Sequence, residues 1–182
     1  MKQIELNEAK YLGSSDKKKH IHLTKYVQSL FEKGRIIEAE FFHNELLKLK
    51  PDHLIVQVIG YELAIRTFNY NKVVKFDGLL SKNKKLKKEE LLKLRVKYFY
   101  SIQNSEYLES TLNELLSITK YDERFFPVVV DSIYFTKSYL NVYNLFKLLR
   151  KSNLKLDSRN EDNMRKIVYT SLCNKLVEIA NG

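Results

Sequence analysis

Gly34-Arg35-Ile36-Ile37-Glu38-Ala39, followed twelve residues on by Pro51-Asp52, is the stretch on which the reading of this chain turns. A glycine at a helix end tolerates left-handed geometry, an alanine lets a second helix come close, and a proline stops that helix. Phe68-Asn69-Tyr70-Asn71-Lys72-Val73 occupies the same frame further on, with weaker echoes at Ser105-Glu106-Tyr107-Leu108-Glu109-Ser110 and Lys137-Ser138-Tyr139-Leu140-Asn141-Val142. Aligned on the third residue of each hexad (Ile36, Tyr70, Tyr107, Tyr139), the spacings are 34, 37 and 32. A helix pair that cannot bury its own apolar face must stack on its neighbours, so the period predicts consecutive helical hairpins.

The flanking pattern agrees. Residues 1–13 read as a short N-terminal segment with Ile4, Ala9 and Leu12 apolar and Gly13 as its stop. Ser14-Ser15-Asp16 offers cap oxygens to a helix whose Leu23, Tyr26, Val27, Leu30 and Phe31 share one face. Its partner carries Ile36, Ala39, Phe42, Leu46 and Leu49, and Pro51-Asp52 closes it and caps the next. The second pair places Leu54, Val58, Tyr61, Ala64, Ile65 and Phe68 inward, then runs from Tyr70 to Ser81. After a basic linker, Lys82 to Lys88, come Glu89–Gln103 with Ser105–Thr119, and Asp122–Lys137 with Ser138–Lys151. Pro127 predicts that the first helix of the fourth pair is bent or starts late. Ser158-Arg159-Asn160-Glu161 is a capping box opening a last helix, residues 158–181, expected to cover the fourth pair with Ile167, Leu172, Leu176, Val177 and Ala180. The expected organisation is one all-α domain: four hairpin units over 14–156 and a capping helix.

Composition narrows the class. With 182 residues, 44% apolar and 12% aromatic, the chain is long and hydrophobic enough for a continuous core. Five glycines and two prolines are too few for a β-sandwich or barrel. The single cysteine, Cys173, sits among Val168, Leu172 and Leu176, which fits an inert apolar position and a reducing compartment. No run of apolar residues is long enough to span a bilayer, and the charged N-terminus lacks a signal-peptide core, so a cytoplasmic protein is expected.

The repeated frame resembles the tetratricopeptide (TPR) repeat, whose period is about 34 residues. The likeness runs from His20 to Leu154 and weakens along the chain, with Val73, Ser110 and Val142 where the family prefers alanine and no tryptophan anywhere. Larger residues at those crossings are expected to spread the helix pairs. The resemblance implies a right-handed solenoid and a non-enzymatic scaffold that binds a partner segment in a concave groove lined by the first helix of each unit. Carried over position by position, that groove is Thr24, Gln28, Glu32, Glu62, Arg66, Arg95, Phe99, Asp131 and Phe135. The asparagine-and-lysine set of the carboxylate-clamp TPRs is not reproduced.

Other chemistry finds little footing. The glycines are isolated, so no phosphate loop is present, and neither a G-x-S-x-G elbow nor an HExxH helix occurs. His20 and His22, two apart, point to different helix faces, and no metal or cofactor is expected. Glu89-Glu90 and Glu161-Asp162 sit at helix starts, where they compensate the dipole. A net charge of +10 leaves a second reading, a basic module for nucleic acid or another polyanion, with Lys17, Lys18, Lys19, Lys82, Lys84, Lys85, Lys87 and Lys88 as contacts. A third is the helical accessory part of a larger enzyme assembly.

Overall fold

The computed structural model describes residues 2–152 and 157–181. Those residues form ten helices and no strand: α1 (Lys2–Leu12), α2 (Asp16–Glu32), α3 (Ile36–Leu49), α4 (Leu54–Arg66), α5 (Tyr70–Ser81), α6 (Lys88–Ser101), α7 (Ser105–Ile118), α8 (Phe126–Thr136), α9 (Tyr139–Ser152) and α10 (Ser158–Asn181). The end of the expected four-unit span, residues 153–156, lies outside the described residues. The chain divides into two compact units, Met1–Lys87 and Lys88–Gly182, and the break falls in the lysine-rich segment between α5 and α6. None of the described helices is long and apolar enough to cross a membrane.

In the first unit α1 packs on α2, α2 on α3, α3 on α4 and α4 on α5. Burying Leu23, Tyr26, Val27 and Leu30 orients α2 against Ala39 and Leu46 of α3. Helix α4 is buried almost all round (Val56, Gln57, Ile59, Gly60, Tyr61, Leu63, Ala64 and Ile65), as a helix sandwiched between neighbours must be. Tyr11 stacks on Tyr26 at 6.1 Å, and the Tyr26 hydroxyl donates to Glu8 at 3.0 Å, so α1 is held by its Ile4, Asn7 and Tyr11 side. Ala9 and Leu12 are exposed.

The second unit has its own core, built from Leu92 and Val96 of α6, Leu108, Leu112 and Leu115 of α7, Val129 and Ile133 of α8, Val142 and Leu145 of α9, and Met164 and Ile167 of α10. Helices α6 and α7 pack closely, and α8 and α9 both pack on α7. Yet α8 and α9, joined by a tight turn, diverge from one another, and α10 packs against both. Pro127 falls in the first turn of α8, which begins late at Phe126.

The turns inside the four helix pairs share one device. Gly34, Phe68, Gln103 and Lys137 all have positive φ (73°, 53°, 53° and 54°), at intervals of 34, 35 and 34 residues. In the first three, the next residue donates its N–H to a carbonyl five back: Arg35 to Leu30, Asn69 to Ala64, Asn104 to Phe99. The left-handed residue itself donates three back. That is the Schellman closure; at Lys137 a single bond to Ile133 gives the simpler left-handed cap. Asn69, Asn104 and Ser138 then cap the following helix, each side-chain oxygen accepting the backbone N–H three residues on at 3.1–3.2 Å.

This geometry corrects the third frame. Helix α7 begins at Ser105, where its expected bounds put it, behind an Asn104 cap, but the hexad aligned on Tyr107 stands two residues out of register with the others. Counting four residues from each cap position gives Ala39, Val73, Leu108 and Val142, all buried, whereas Ser110 is exposed. Bulk at this position does not by itself spread the pairs: α6 and α7 pack closely with Leu108 there, while α8 and α9 diverge with Val142.

Other corrections concern single residues. Phe68 is exposed, because it is the left-handed turn residue and not part of the inner face of α4. Leu49 is also exposed. Ser15 and His53 hold the N-cap positions of α2 and α4 without side-chain bonds, so neither Ser15 nor Asp52 acts as the expected cap. On α10 only Ile167 of the expected face is buried, with Met164 and Ser171; Leu172, Leu176, Val177 and Ala180 are exposed. The side of α10 turned toward the α8–α9 turn continues as Asn174, Lys175 and Glu178, and the apolar strip lies round the helix from it.

Candidate functional site

The expected groove residues sit on the first helices of the pairs: Thr24, Gln28 and Glu32 on α2 and Glu62 and Arg66 on α4 in the first unit, Arg95 and Phe99 on α6 and Asp131 and Phe135 on α8 in the second. Gln28, Glu32, Arg66 and Asp131 are exposed. Thr24 turns its hydroxyl onto its own helix, donating to the His20 carbonyl at 2.7 Å. Glu62 and Arg95 are half-buried. Phe99 and Phe135 are half-buried too, packed against the core of their unit. Phe99 stacks on Tyr107 at 5.4 Å, and Phe135 meets Tyr100 edge-on at 6.1 Å. These two rings are therefore largely spent on internal packing.

Large uncovered side chains also stand outside that set, several of them in register on the second helices and on α10. Ile37 and Phe41 stand out from α3, one turn apart. Helix α9 buries Val142, Leu145, Leu148 and Leu149 on one side and exposes Tyr139, Leu140, Tyr143 and Phe146, each about half accessible, on the other. Lys147 places its ammonium 4.9 Å from the centre of the Tyr143 ring, a cation–π arrangement. A second strip, Tyr169, Leu172, Leu176 and Ile179, follows the outer side of α10. No residue of the outer face of α9 was among the expected contacts, because its inner face, Val142, Leu145, Leu148 and Leu149, accounts for the helical pattern by itself. The available signal was the tyrosines and phenylalanine alternating with the leucines at helical spacing.

The lysines singled out for polyanions are spread out. Lys17, Lys18, Lys82, Lys84, Lys85 and Lys87 are exposed, Lys19 is half-buried, and Lys88 is exposed and ion-paired with Glu114. No aromatic ring stacks among them that could hold a base.

Two charged arrangements in the second unit are internally compensated. Lys93 meets Glu89 and Glu90 at 3.2 Å and Asp122 at 2.9 Å, tying α6 to the segment before α8. Burial alone would lower its affinity for a proton, but hydrogen bonds to Asp122, Glu89 and Glu90 prevail and raise its pKa. Glu89 is held below the usual carboxylate range by the Thr119 hydroxyl and by Lys93, and Asp122 by its bond to Lys93. A cleft of about 260 Å³ lies between the α8–α9 turn and α10, lined by Glu109, Ser138, Ser171, Lys175 and Glu178 among others. Its carboxylates are engaged, Glu178 by Asn174 and Lys175 and Glu109 by the Ser138 hydroxyl. Among the described residues no three His, Cys, Asp or Glu side chains come together as a metal ion would require. Cys173 is a free, half-buried thiol.

No family model matches the chain, and neither the curated proteins nor the solved structures contain a match.

Proposed function

We propose that this chain is a non-enzymatic, TPR-like scaffold that binds a segment of another protein. One observation carries the reading. Each unit builds a complete core of its own and still leaves tyrosine, phenylalanine and isoleucine side chains in register on helix faces (Ile37 and Phe41 on α3; Tyr139, Tyr143 and Phe146 on α9). Exposed aromatic groups of this kind supply most of the energy at protein interfaces, and they cost solubility when they serve nothing. The regular left-handed turns at 34, 68, 103 and 137 support the repeat assignment. The binding surface is then not confined to the expected groove, since Phe99 and Phe135 are already packed.

Photo-crosslinking in cells tests this. A photoreactive residue placed singly at Gln28, Phe41, Asp131 or Tyr143 should give discrete crosslinked proteins from at least one position. No crosslinked product at any of the four would overturn the reading. The net charge of +10 favours one alternative, a polyanion binder. That alternative requires retention of a duplex, single strand or acidic glycan with a steep loss of affinity as salt rises.

A further inference from the structure

We propose that the outer face of α9 docks an acidic amphipathic helix of a partner protein; this names the partner class for the scaffold reading above and rests on it. The rotation of α9 about its axis is fixed from within. Val142, Leu145, Leu148 and Leu149 are buried in the core. Ser138 donates its hydroxyl to Glu109 at 2.6 Å, Asn141 donates its amide to the Glu109 carbonyl at 3.1 Å, and Asn144 bonds Asn113. The opposite side therefore cannot turn inward. It presents Tyr139, Tyr143, Phe146 and Arg150, at steps of four, three and four residues. That is the spacing of a seam between two helices, and a groove-seated or side-by-side helix reads it with its own apolar stripe.

Charge selects the partner. Helix α9 contains no aspartate or glutamate, and Lys147, Arg150 and Lys151 cluster in its C-terminal part. Lys147 lies directly against Tyr143, so the cation borders the apolar seam and does not stand apart from it. A helix docking there meets rings and cations together, which calls for apolar side chains flanked by carboxylates. A second copy of this chain offers no such complement on α9, because it would set the same cations against one another. A phosphate polymer would engage the three cations at one end and leave the aromatic stripe uncovered.

The test uses the full chain and fluorescent peptides of about three heptads, stapled to hold the helix. One carries leucine at the seam positions and glutamate beside them. A second replaces each glutamate by lysine, and a third replaces each seam leucine by serine. The proposal predicts that only the first binds. Tyr143→Ser with Phe146→Ser should weaken it at least about tenfold, equivalent to about 1.4 kcal/mol. Lys147→Glu with Arg150→Glu should weaken it similarly and confer binding of the lysine peptide. All four positions are exposed, and circular dichroism and the thermal midpoint should match wild type. The proposal is overturned if the acidic helix does not bind, if the lysine or serine peptide binds wild type equally well, or if the substitutions leave affinity unchanged. It is equally overturned if anionic vesicles or self-association through α9 account for the signal. In those cases crosslinks from Gln28, Phe41 or Asp131 would still stand for the scaffold reading, which falls only if they too are missing.

Discussion

Asn141 on α9 donates its side-chain amide to the backbone carbonyl of Glu109 on α7 at 3.1 Å, and these two residues occupy the hairpin positions that Lys72 and Glu40 hold between α5 and α3, where an ion pair spans 2.7 Å. Counted from the cap of each helix, the acceptor is the fifth residue and the donor the third. The second helix of one pair is thus tied to the second helix of the next by the same two positions within each unit, with different chemistry.

The two links should differ in strength. Asn141 is fully buried, so Asn141→Ala removes a buried side-chain hydrogen bond and its packing and should cost about 1–3 kcal/mol. Lys72 and Glu40 remain partly solvated, and Lys72→Ala should cost no more than about 1 kcal/mol. Urea unfolding of the two variants gives the ranking; equal losses would show that the links are not graded by burial.

The crossing positions give a test of the repeat frame. Ala39→Leu overpacks the α2–α3 contact and should cost about 1–3 kcal/mol. Leu108→Ala should cost about 2–5 kcal/mol, whereas Ser110→Leu, on the exposed side of α7, should be nearly neutral. Thermal midpoints decide. A destabilising Ser110→Leu beside a tolerated Leu108→Ala would restore the hexad alignment.

Helix boundaries were legible in the sequence wherever a stop and a start stood together. Gly34, Pro51 and Pro127 mark real ends, and Tyr70–Ser81 and Ser158–Asn181 coincide with α5 and α10. The third frame was misplaced because Tyr107 looks like Tyr70 and Tyr139; the physical marker, a left-handed residue followed by Asn104 as cap, is a glutamine that nothing in composition flags. The outer face of α9 and the actual contact face of α10 were not legible, since both depend on which neighbour takes which side. On α10 that neighbour is the divergent α8–α9 pair, whose splay no local pattern announces.

Gly60 marks a close helix approach in the first unit. A methyl group there would sit 2.4 Å from Phe76 Cζ and 2.8 Å from His43 Cε1, and both side chains are buried. Alanine is otherwise favoured over glycine in a helix by about 1 kcal/mol. Gly60→Ala should nevertheless lower the thermal midpoint, and Phe76→Leu in the same chain should recover part of the loss. A stabilised Gly60→Ala would mean that α4 does not approach α3 and α5 this closely.

His43 makes the first unit acid-sensitive. It donates Nε2–H to the Val56 carbonyl at 2.8 Å, and burial pushes its pKa below the ordinary 6.5, opposed by that bond. The folded state favours the neutral ring, so the contribution is complete above pH 6.5 and is lost as pH falls through the lowered value. Resistance of wild type to unfolding should therefore fall from neutral pH toward pH 5, and His43→Leu should flatten that slope. An identical slope in both would remove His43 as its source.

The central claim is that exposed rings on the helix faces hold a protein partner, which the cations beside them help to select. Affinity purification of wild type and of Tyr143→Ser with Phe146→Ser, after nuclease treatment and at both low and high salt, tests it directly by quantitative mass spectrometry. The account predicts a protein that stays with wild type through nuclease treatment, is reduced but not lost at high salt, and is depleted from the variant. Co-purification that disappears with nuclease or salt and is identical for wild type and variant would contradict it.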